Sequence, residues 1–100
     1  MRQIPAQFDI VGHTVEVVFR DDLHDDCECD VRFIASKNRI ELQSGLAFSY
    51  TLATFWHECM HAIATHMGMK DVNDNEEQID KLGQGVAQIL KTKKGNAQTD

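Results

Sequence analysis

The chain carries little positive charge and contains no long hydrophobic segment, and each absence excludes a class of function. Ten Lys and Arg residues stand against sixteen Asp and Glu residues, which gives a net charge of −6 at pH 7. Binding to a nucleic-acid backbone requires clustered Lys and Arg, so we expect no nucleic-acid partner. No window of the sequence reaches about 18 apolar residues, and the first residues include no apolar signal region. We therefore expect no membrane association and a cytoplasmic location.

Cysteine is also scarce, and its distribution argues against a disulfide scaffold. The residues Cys27, Cys29 and Cys59 form an odd set, and the last of them lies inside a candidate metal-binding motif. A structural zinc site commonly uses two pairs of ligands, and no second pair accompanies Cys27 and Cys29 in the sequence. We therefore predict free thiols at Cys27 and Cys29, as is usual in a reducing cytoplasm.

The first half of the chain has the periodicity of a small β-sheet. Alternating apolar residues predict three β segments: a hairpin over residues 7–20 that turns at Gly12-His13, and strands over 31–35 and 39–43. Residues 21–30 are dominated by acidic side chains without periodicity and predict a solvated loop. A chain of 100 residues is long enough for one domain, which we place over residues 1–100.

The second half of the chain has helical periodicity. Two long helices are predicted, over residues 51–67 and 75–94, with a frayed tail over 95–100. The first has Ser49 or Thr51 as its N-cap and Gly68 as its stop. Gly83 and Gly85 destabilise a helix interior by about 1 kcal/mol each relative to Ala, which predicts compensating close packing against the first helix. The sequence therefore predicts an α+β fold, with a small sheet packed on two long C-terminal helices.

The segment His57-Glu58-Cys59-Met60-His61 lies within the first predicted helix. Residues four apart lie on one face of a helix, so His57 and His61 can direct two imidazole nitrogens at the same point. Such a pair supplies two of the three protein ligands typical of a catalytic zinc, with Glu58 placed to accept a proton from water at the metal. The pattern therefore predicts a Zn²⁺ site with a general base beside it.

The longer segment from Thr54 to Ile63 resembles the extended signature of zincin-type zinc metallopeptidases. That signature has Thr or Val three residues before the first His, uncharged residues between the ligands, and a hydrophobic residue two positions after the second. Thr54, the pair Cys59-Met60 and Ile63 meet these conditions in turn. Over nearly all of its length the chain also resembles the very small zincins of phages and mobile elements, which begin with a β-hairpin and end with the motif helix and one more helix.

A zinc peptidase needs a third protein ligand, and the residues after the motif offer several candidates. His66 follows the second motif His by five residues, whereas zincins that use a third His place it six residues on, after a Gly-containing turn. The segment Asn-Glu-Glu-Gln-Ile-Asp at residues 75–80 resembles the Asn-Glu-x-x-x-Asp segment of gluzincins. That likeness implies Glu76 as the third ligand and Asp80 as the carboxylate that orients a zinc-bound His. On a helical wheel the apolar stripe lies nearer Glu76 than Glu77, which favours Glu76 and leaves Glu77 as the alternative.

The resemblance implies a zinc-dependent endopeptidase that acts on a protein or peptide substrate. Glu58 would accept a proton from the attacking water and pass it to the leaving amine. The substrate would extend along an exposed sheet edge, which we expect to be the strand over residues 39–43. Four side chains are candidates for stabilising the oxyanion: Tyr50, His66, His13 and His24.

An alternative is a zinc-binding zincin scaffold with weak or no activity that acts as a protein-binding module. The presence of Glu58 argues for the enzyme, because a hydrolase needs a general base and a binding module does not. A third hypothesis, an acidic structural protein with a chance motif, leaves the coincidence of Glu76 and Asp80 unexplained.

Overall fold

A computed structural model describes residues 4–98 of the chain as an α+β fold. Its helices and strands are β1 (Gln7–Ile10), β2 (His13–Arg20), α1 (Leu23–Cys27), β3 (Val31–Ile34), β4 (Arg39–Gln43), α2 (Phe48–His66), α3 (Lys70–Asn73) and α4 (Glu76–Thr92). The predicted fold class is confirmed, because the strands form one four-stranded sheet and the two long helices, α2 and α4, follow it in the chain.

The remaining features of the described chain are short. A 3-10 turn, Ala35–Lys37, joins β3 to β4. Residues 93–98 contain no helix or strand, and the last two residues of the predicted frayed tail, Thr99 and Asp100, lie outside the described residues. Between residues 4 and 98, no helix combines the length and the apolar composition needed to cross a membrane.

The sheet has the strand order β1-β2-β4-β3, so β4 is internal and β3 is an edge. Strand β4 pairs in parallel with β2 on one side and antiparallel with β3 on the other. The prediction that residues 39–43 form the exposed edge is therefore wrong. Ile40 and Leu42 are fully buried and Glu41 is 4% exposed, which is the burial of a strand covered on both faces. The open edge next to the motif helix is β3.

Two local predictions in the first half of the chain are wrong. The hairpin turns at Val11 and Gly12, because their φ angles of 49° and 80° give the pair of left-handed residues that a two-residue type I′ turn requires. His13 is consequently the first residue of β2. The acidic segment is not irregular throughout, since α1 forms within it. Helix α1 lies against β4 and buries Leu23 completely, which gives this short helix an anchor.

The structure also overturns the prediction of free thiols at Cys27 and Cys29, because a disulfide joins them. Glu28, between the two, has a φ of 54°, and this left-handed residue folds the chain back so that the two Cα atoms lie 5.2 Å apart. Cys59 is a free thiol buried in the core, where burial raises its pKa.

Helix α2 packs its apolar face on the sheet. Leu52, Phe55 and Cys59 form a continuous core with Ile40 and Leu42 of β4. Each of these five residues is at most 7% exposed, so the face of α2 that carries them is fixed against the strands. The opposite side of the same helix is thereby turned away from the sheet, and it carries His57 and His61.

The start of α2 differs from the prediction, whereas its end agrees. The helix begins at Phe48 with Ala47 as N-cap and no side-chain cap hydrogen bond, so the predicted caps Ser49 and Thr51 are wrong. Thr51 lies in the first turn instead, and its hydroxyl donates a hydrogen bond to the carbonyl of Ala47 at 3.1 Å. Gly68, with a φ of 70°, directly follows the C-cap residue Met67 and is confirmed as the stop.

The two long helices are in tight backbone contact at Gly83. A Cβ atom at this position would lie 2.9 Å from the backbone nitrogen of His57, closer than real Cβ contacts allow. The predicted close packing is therefore confirmed at Gly83. The prediction is wrong at Gly85, where a Cβ atom would meet nothing within 4 Å.

On the face of the sheet opposite α2, Glu41 is buried between two arginines. Arg32 Nε donates to its carboxylate at 2.6 Å and Arg20 Nη1 donates at 3.1 Å. Burial disfavours ionisation of Glu41, but the two charged hydrogen bonds outweigh it, so that its pKa is lowered. Two ion pairs of Glu41 therefore connect β4 to Arg20 of β2 and to Arg32 of β3.

Candidate metal centre

The side chains of His57, His61 and Glu76 converge between α2 and the start of α4. The Nε2 atom of His57 lies 3.1 Å from one oxygen of Glu76, and the Nε2 atom of His61 lies 2.7 Å from the other. One ligand atom from each of the three residues lies within 4.8 Å of the other two, an arrangement that can hold a metal ion. In the described part of the chain this is the one group of His, Cys, Asp and Glu that meets that criterion.

Local structure at the start of α4 accounts for the position of Glu76. Asn75 is the N-cap, and its side-chain oxygen accepts a hydrogen bond from the backbone N–H of Gln78 at 3.1 Å. Glu76 is consequently the first residue of the helix and faces α2. Glu77, the alternative ligand, points elsewhere and pairs with Lys81 at 2.9 Å. The structure thus brings Glu76, and not Glu77, to the two histidines.

The other ring nitrogen of each histidine also has a partner. His57 Nδ1 lies 3.3 Å from Asp80 Oδ1, the contact that the gluzincin resemblance implies for Asp80. His61 Nδ1 lies 2.6 Å from the side-chain oxygen of Asn73, whose amide nitrogen donates to Thr65 Oγ1 at 3.2 Å. With Nδ1–H donating to these oxygens, both histidines would present an unprotonated Nε2 towards Glu76, as metal ligands do.

Asn73 is the residue of this site that the sequence analysis did not find. Asn73 lies twelve residues from His61, and no periodicity relates the two. The short helix α3, which ends at Asn73, brings it back against α2.

The donor set fits zinc. Two imidazole nitrogens and one carboxylate match a common catalytic zinc set, and zinc bonds of about 2.1 Å place tetrahedral ligands about 3.4 Å apart. The separations of 3.1 Å and 2.7 Å between the histidine nitrogens and the Glu76 oxygens are somewhat shorter, and an outward movement of Glu76 would lengthen both. That movement is open to it, because the Glu76 side chain is 69% exposed.

Comparison with protein-family models, with curated proteins and with solved structures found no match for this chain. What the site can do must therefore be argued from its own geometry.

Glu58 lies between the histidines and the edge strand β3. Burial raises its pKa, and the neighbouring charge of Glu76 acts in the same direction. Charge on His61 and His57 opposes this shift, as does a hydrogen bond from the backbone N–H of Phe33. A carboxylate with a raised pKa accepts a proton more readily than an ordinary one, which is the property of a general base.

Two cavities of about 360 Å³ each flank this point, and Glu58 lines both. One is shared with His61, Thr65 and Asn73, and the other with His57, Thr54 and Tyr50. Residues of β3 or directly after it line each cavity: Phe33 and Ala35 the first, Val31 the second. The two cavities therefore adjoin at Glu58 and follow α2 beside the edge strand, and we call the two together the cleft.

The four candidate oxyanion donors fall in different places. Tyr50 lines the cavity with His57 and Glu58, and its hydroxyl donates to Asp30 at 2.8 Å. This hydrogen bond, together with burial, raises the Tyr50 pKa and keeps the hydroxyl protonated. The rings of His13 and His66 stack on each other with centroids 4.2 Å apart, and His24 lies against Asp30. Tyr50 is therefore the best placed of the four.

Proposed function

We propose that this protein is a zinc-dependent endopeptidase of the zincin type that hydrolyses a peptide bond in a protein substrate. The observation that carries the proposal is the convergence of His57, His61 and Glu76 beside the half-buried Glu58. Each histidine also has an oxygen partner for its other nitrogen, and such partners orient the imidazole ligands of zinc.

Each residue of the site has a distinct task in this proposal. His57, His61 and Glu76 hold zinc, which when bound lowers the pKa of a water molecule towards ~7 and polarises the scissile carbonyl. Glu58 accepts a proton from the attacking water and transfers it to the nitrogen of the leaving amine. Tyr50 can donate to the developing oxyanion if its hydroxyl turns from Asp30 into the cleft.

The substrate would bind as an added strand on β3. In the antiparallel pair of β3 with β4, the Gln43 N–H donates to the Asp30 carbonyl. Because every second residue of a strand faces the same neighbour, the backbone N–H and C=O groups of Asp30, Arg32 and Ile34 point towards β4. The backbone groups of Val31 and Phe33 consequently point to the open edge. The Phe33 N–H donates to Glu58 there, which leaves the Phe33 carbonyl and the two Val31 groups for an added strand. A peptide strand pairing with them would cross both cavities and bring one of its carbonyl groups past Glu58.

Metal content of the purified protein is the first test of this proposal. We expect about one zinc per chain by elemental analysis in the wild type and in His66→Ala, and loss of zinc in His61→Ala. His66 is the matched control, because it lies on the same helix but outside the three-residue group. Absence of zinc from the wild type after reconstitution would refute the proposal.

Hydrolysis is tested with Glu58→Gln, which removes the base but none of the proposed ligands. We expect this variant to retain zinc and to cleave no member of a proteome-derived peptide library that the wild type cleaves. Unchanged turnover would remove Glu58 from the mechanism. A wild type that binds zinc and one protein partner but cleaves nothing would favour the protein-binding module instead.

A further inference from the structure

The hydroxyl of Tyr50 donates its proton to a carboxylate beside the cleft. Tyr50 lines the cavity that His57 and Glu58 also line. Its hydroxyl donates to Asp30 Oδ2 at 2.8 Å. A tyrosine hydroxyl has one proton, so it donates one hydrogen bond at a time. Asp30 and an oxyanion in the cleft therefore compete for the same proton.

Asp30 is held in place by contacts on its other atoms. Its backbone carbonyl accepts a hydrogen bond from the Gln43 N–H at 2.8 Å, which ties Asp30 to β4. Its second carboxylate oxygen, Oδ1, lies 3.3 Å from Nδ1 of His24. The Asp30 side chain is 30% exposed, so water reaches it but does not surround it. The carboxylate is therefore a fixed acceptor, whereas the Tyr50 hydroxyl can rotate about its C–O bond.

The acceptors that compete for this proton differ in charge. A hydrogen bond to an ionised acceptor is roughly twice as strong as one to a neutral acceptor. The carbonyl of a bound peptide is neutral before the reaction, so the ionised Asp30 retains the Tyr50 hydroxyl at that stage. The oxyanion formed during hydrolysis is charged, and bound substrate shields it from water, which makes hydrogen bonds to it stronger than those to the partly exposed Asp30. The Tyr50 hydroxyl therefore turns to the oxyanion only as the oxyanion forms.

The timing of this contact decides which kinetic constant it affects. An interaction made only in the transition state raises kcat, whereas one made equally with the bound substrate lowers KM and leaves kcat unchanged. By holding the Tyr50 hydroxyl while substrate binds, Asp30 removes the ground-state contact and keeps the contact with the oxyanion. The raised pKa of Tyr50 agrees with this hold, because the hydrogen bond to Asp30 is its largest cause.

We propose, on the basis of the function proposed above, that Asp30 is a positioning residue of the peptidase that makes the Tyr50 contact specific to the transition state. Its carboxylate keeps the Tyr50 hydroxyl from the neutral carbonyl of a bound substrate and releases it to the charged oxyanion. Tyr50 then contributes to kcat and contributes nothing to substrate affinity.

The hold of Asp30 on Tyr50 is tested by ultraviolet titration, which reports Tyr50 alone because the chain contains one tyrosine. Asp30→Asn retains the shape of the side chain without its charge, so the Tyr50 pKa should fall towards the ordinary tyrosine value of about 10. Asp25→Asn removes a charge from the same acidic segment and is the control, because the Tyr50 hydroxyl donates to Asp30. Circular dichroism at each pH confines the comparison to folded protein. Equal Tyr50 pKa values in the wild type and in Asp30→Asn would overturn the proposal.

The effect on the reaction is tested with kcat and KM for one peptide that the wild type cleaves. We expect Tyr50→Phe to lower kcat about 3- to 10-fold and to leave KM unchanged. In Asp30→Asn the neutral side chain no longer outcompetes the substrate carbonyl, so KM should fall about 2- to 5-fold. Tyr50→Phe added to Asp30→Asn should restore KM to the wild-type value. An unchanged KM in Asp30→Asn, or a KM that rises in Tyr50→Phe alone, would contradict the proposal.

Failure of the peptidase proposal is distinguishable from failure of this inference. The titration needs neither substrate nor turnover, so it measures the hold of Asp30 on Tyr50 in an inactive protein as well. A lowered Tyr50 pKa in Asp30→Asn beside a wild type that cleaves nothing would refute the peptidase proposal and support the hold. Cleavage by the wild type, with the same Tyr50 pKa in both proteins, would refute this inference alone.

Discussion

The contact between Gly83 and His57 links the stability of the fold to the proposed metal centre, and a pair of Gly→Ala variants can measure it. Alanine normally stabilises a helix interior by about 1 kcal/mol relative to glycine. At Gly85 an added Cβ meets nothing within 4 Å, so Gly85→Ala should stabilise the protein by about 0.5–1 kcal/mol. This variant measures the helix propensity alone.

At Gly83 the same change adds an overlap with backbone. The new Cβ would lie 2.9 Å from the His57 nitrogen and 3.0 Å from its Cα, atoms that cannot rotate away. Overpacking of this kind typically destabilises by about 1–3 kcal/mol, which offsets or exceeds the helical gain. We therefore expect Gly83→Ala to be less stable than Gly85→Ala by about 1–3 kcal/mol, or at least about 4 °C in melting temperature.

The displacement should also reach the metal centre. Relief of the overlap moves α4 away from α2, and Glu76 lies two turns from Gly83 on the same helix. Zinc affinity, measured by competition with a chelator, should therefore fall in Gly83→Ala and remain at the wild-type value in Gly85→Ala. Stability is measured by urea denaturation of the metal-free protein, so that the two effects are separate. Equal stability and equal zinc affinity of the two variants would refute the reasoning.

Three further predictions follow from contacts described above. Zinc affinity, measured by competition with a chelator, should fall about 10-fold or more in Glu76→Ala but not in Glu77→Ala. The opposite ranking would mean that Glu77 is the third ligand. Asn73→Ala should weaken zinc binding by about 10- to 100-fold, whereas the exposed Asn96, which lies after the last helix, is the control and Asn96→Ala should leave zinc affinity unchanged; metal titration compares the two variants. Folding lowers the pKa of Glu41 below the value of 4.5 that it has in the unfolded chain, so ionised Glu41 stabilises the fold above pH 4.5. This stabilisation is lost as the pH falls through the pKa of Glu41 in the folded protein. Urea denaturation between pH 5 and about 2 should therefore show a steeper loss of stability in the wild type than in Glu41→Gln.

Much of the candidate site could be predicted because it depends on relations within single helices. The spacing of His57 and His61 places both on one face of α2, and the spacing of Glu76 and Asp80 does the same on α4. The strand over Arg39–Gln43 was predicted with its correct limits for a similar reason, since alternation of side chains is a property of one strand.

The predictions that were wrong concern contacts between distant parts of the chain or the backbone at single residues. Strand β4 was predicted as the exposed edge because no local pattern records that β2 pairs with it in parallel. The disulfide between Cys27 and Cys29 depends on a left-handed Glu28, and the hairpin turn depends on a left-handed Val11, a conformation uncommon for a β-branched residue.

The sequence by itself determined the fold class and the pairing of His57 with His61, because helical and strand periodicity are local and strong. For the third ligand, the resemblance to gluzincins implied Glu76 and left Glu77 as the alternative. Only the tertiary structure decided that β3 is the open edge beside Glu58, that Asn73 meets His61, and that Glu76 rather than Glu77 reaches the two histidines. These contacts join residues far apart in the chain, and they follow from how the packed elements fit together in space.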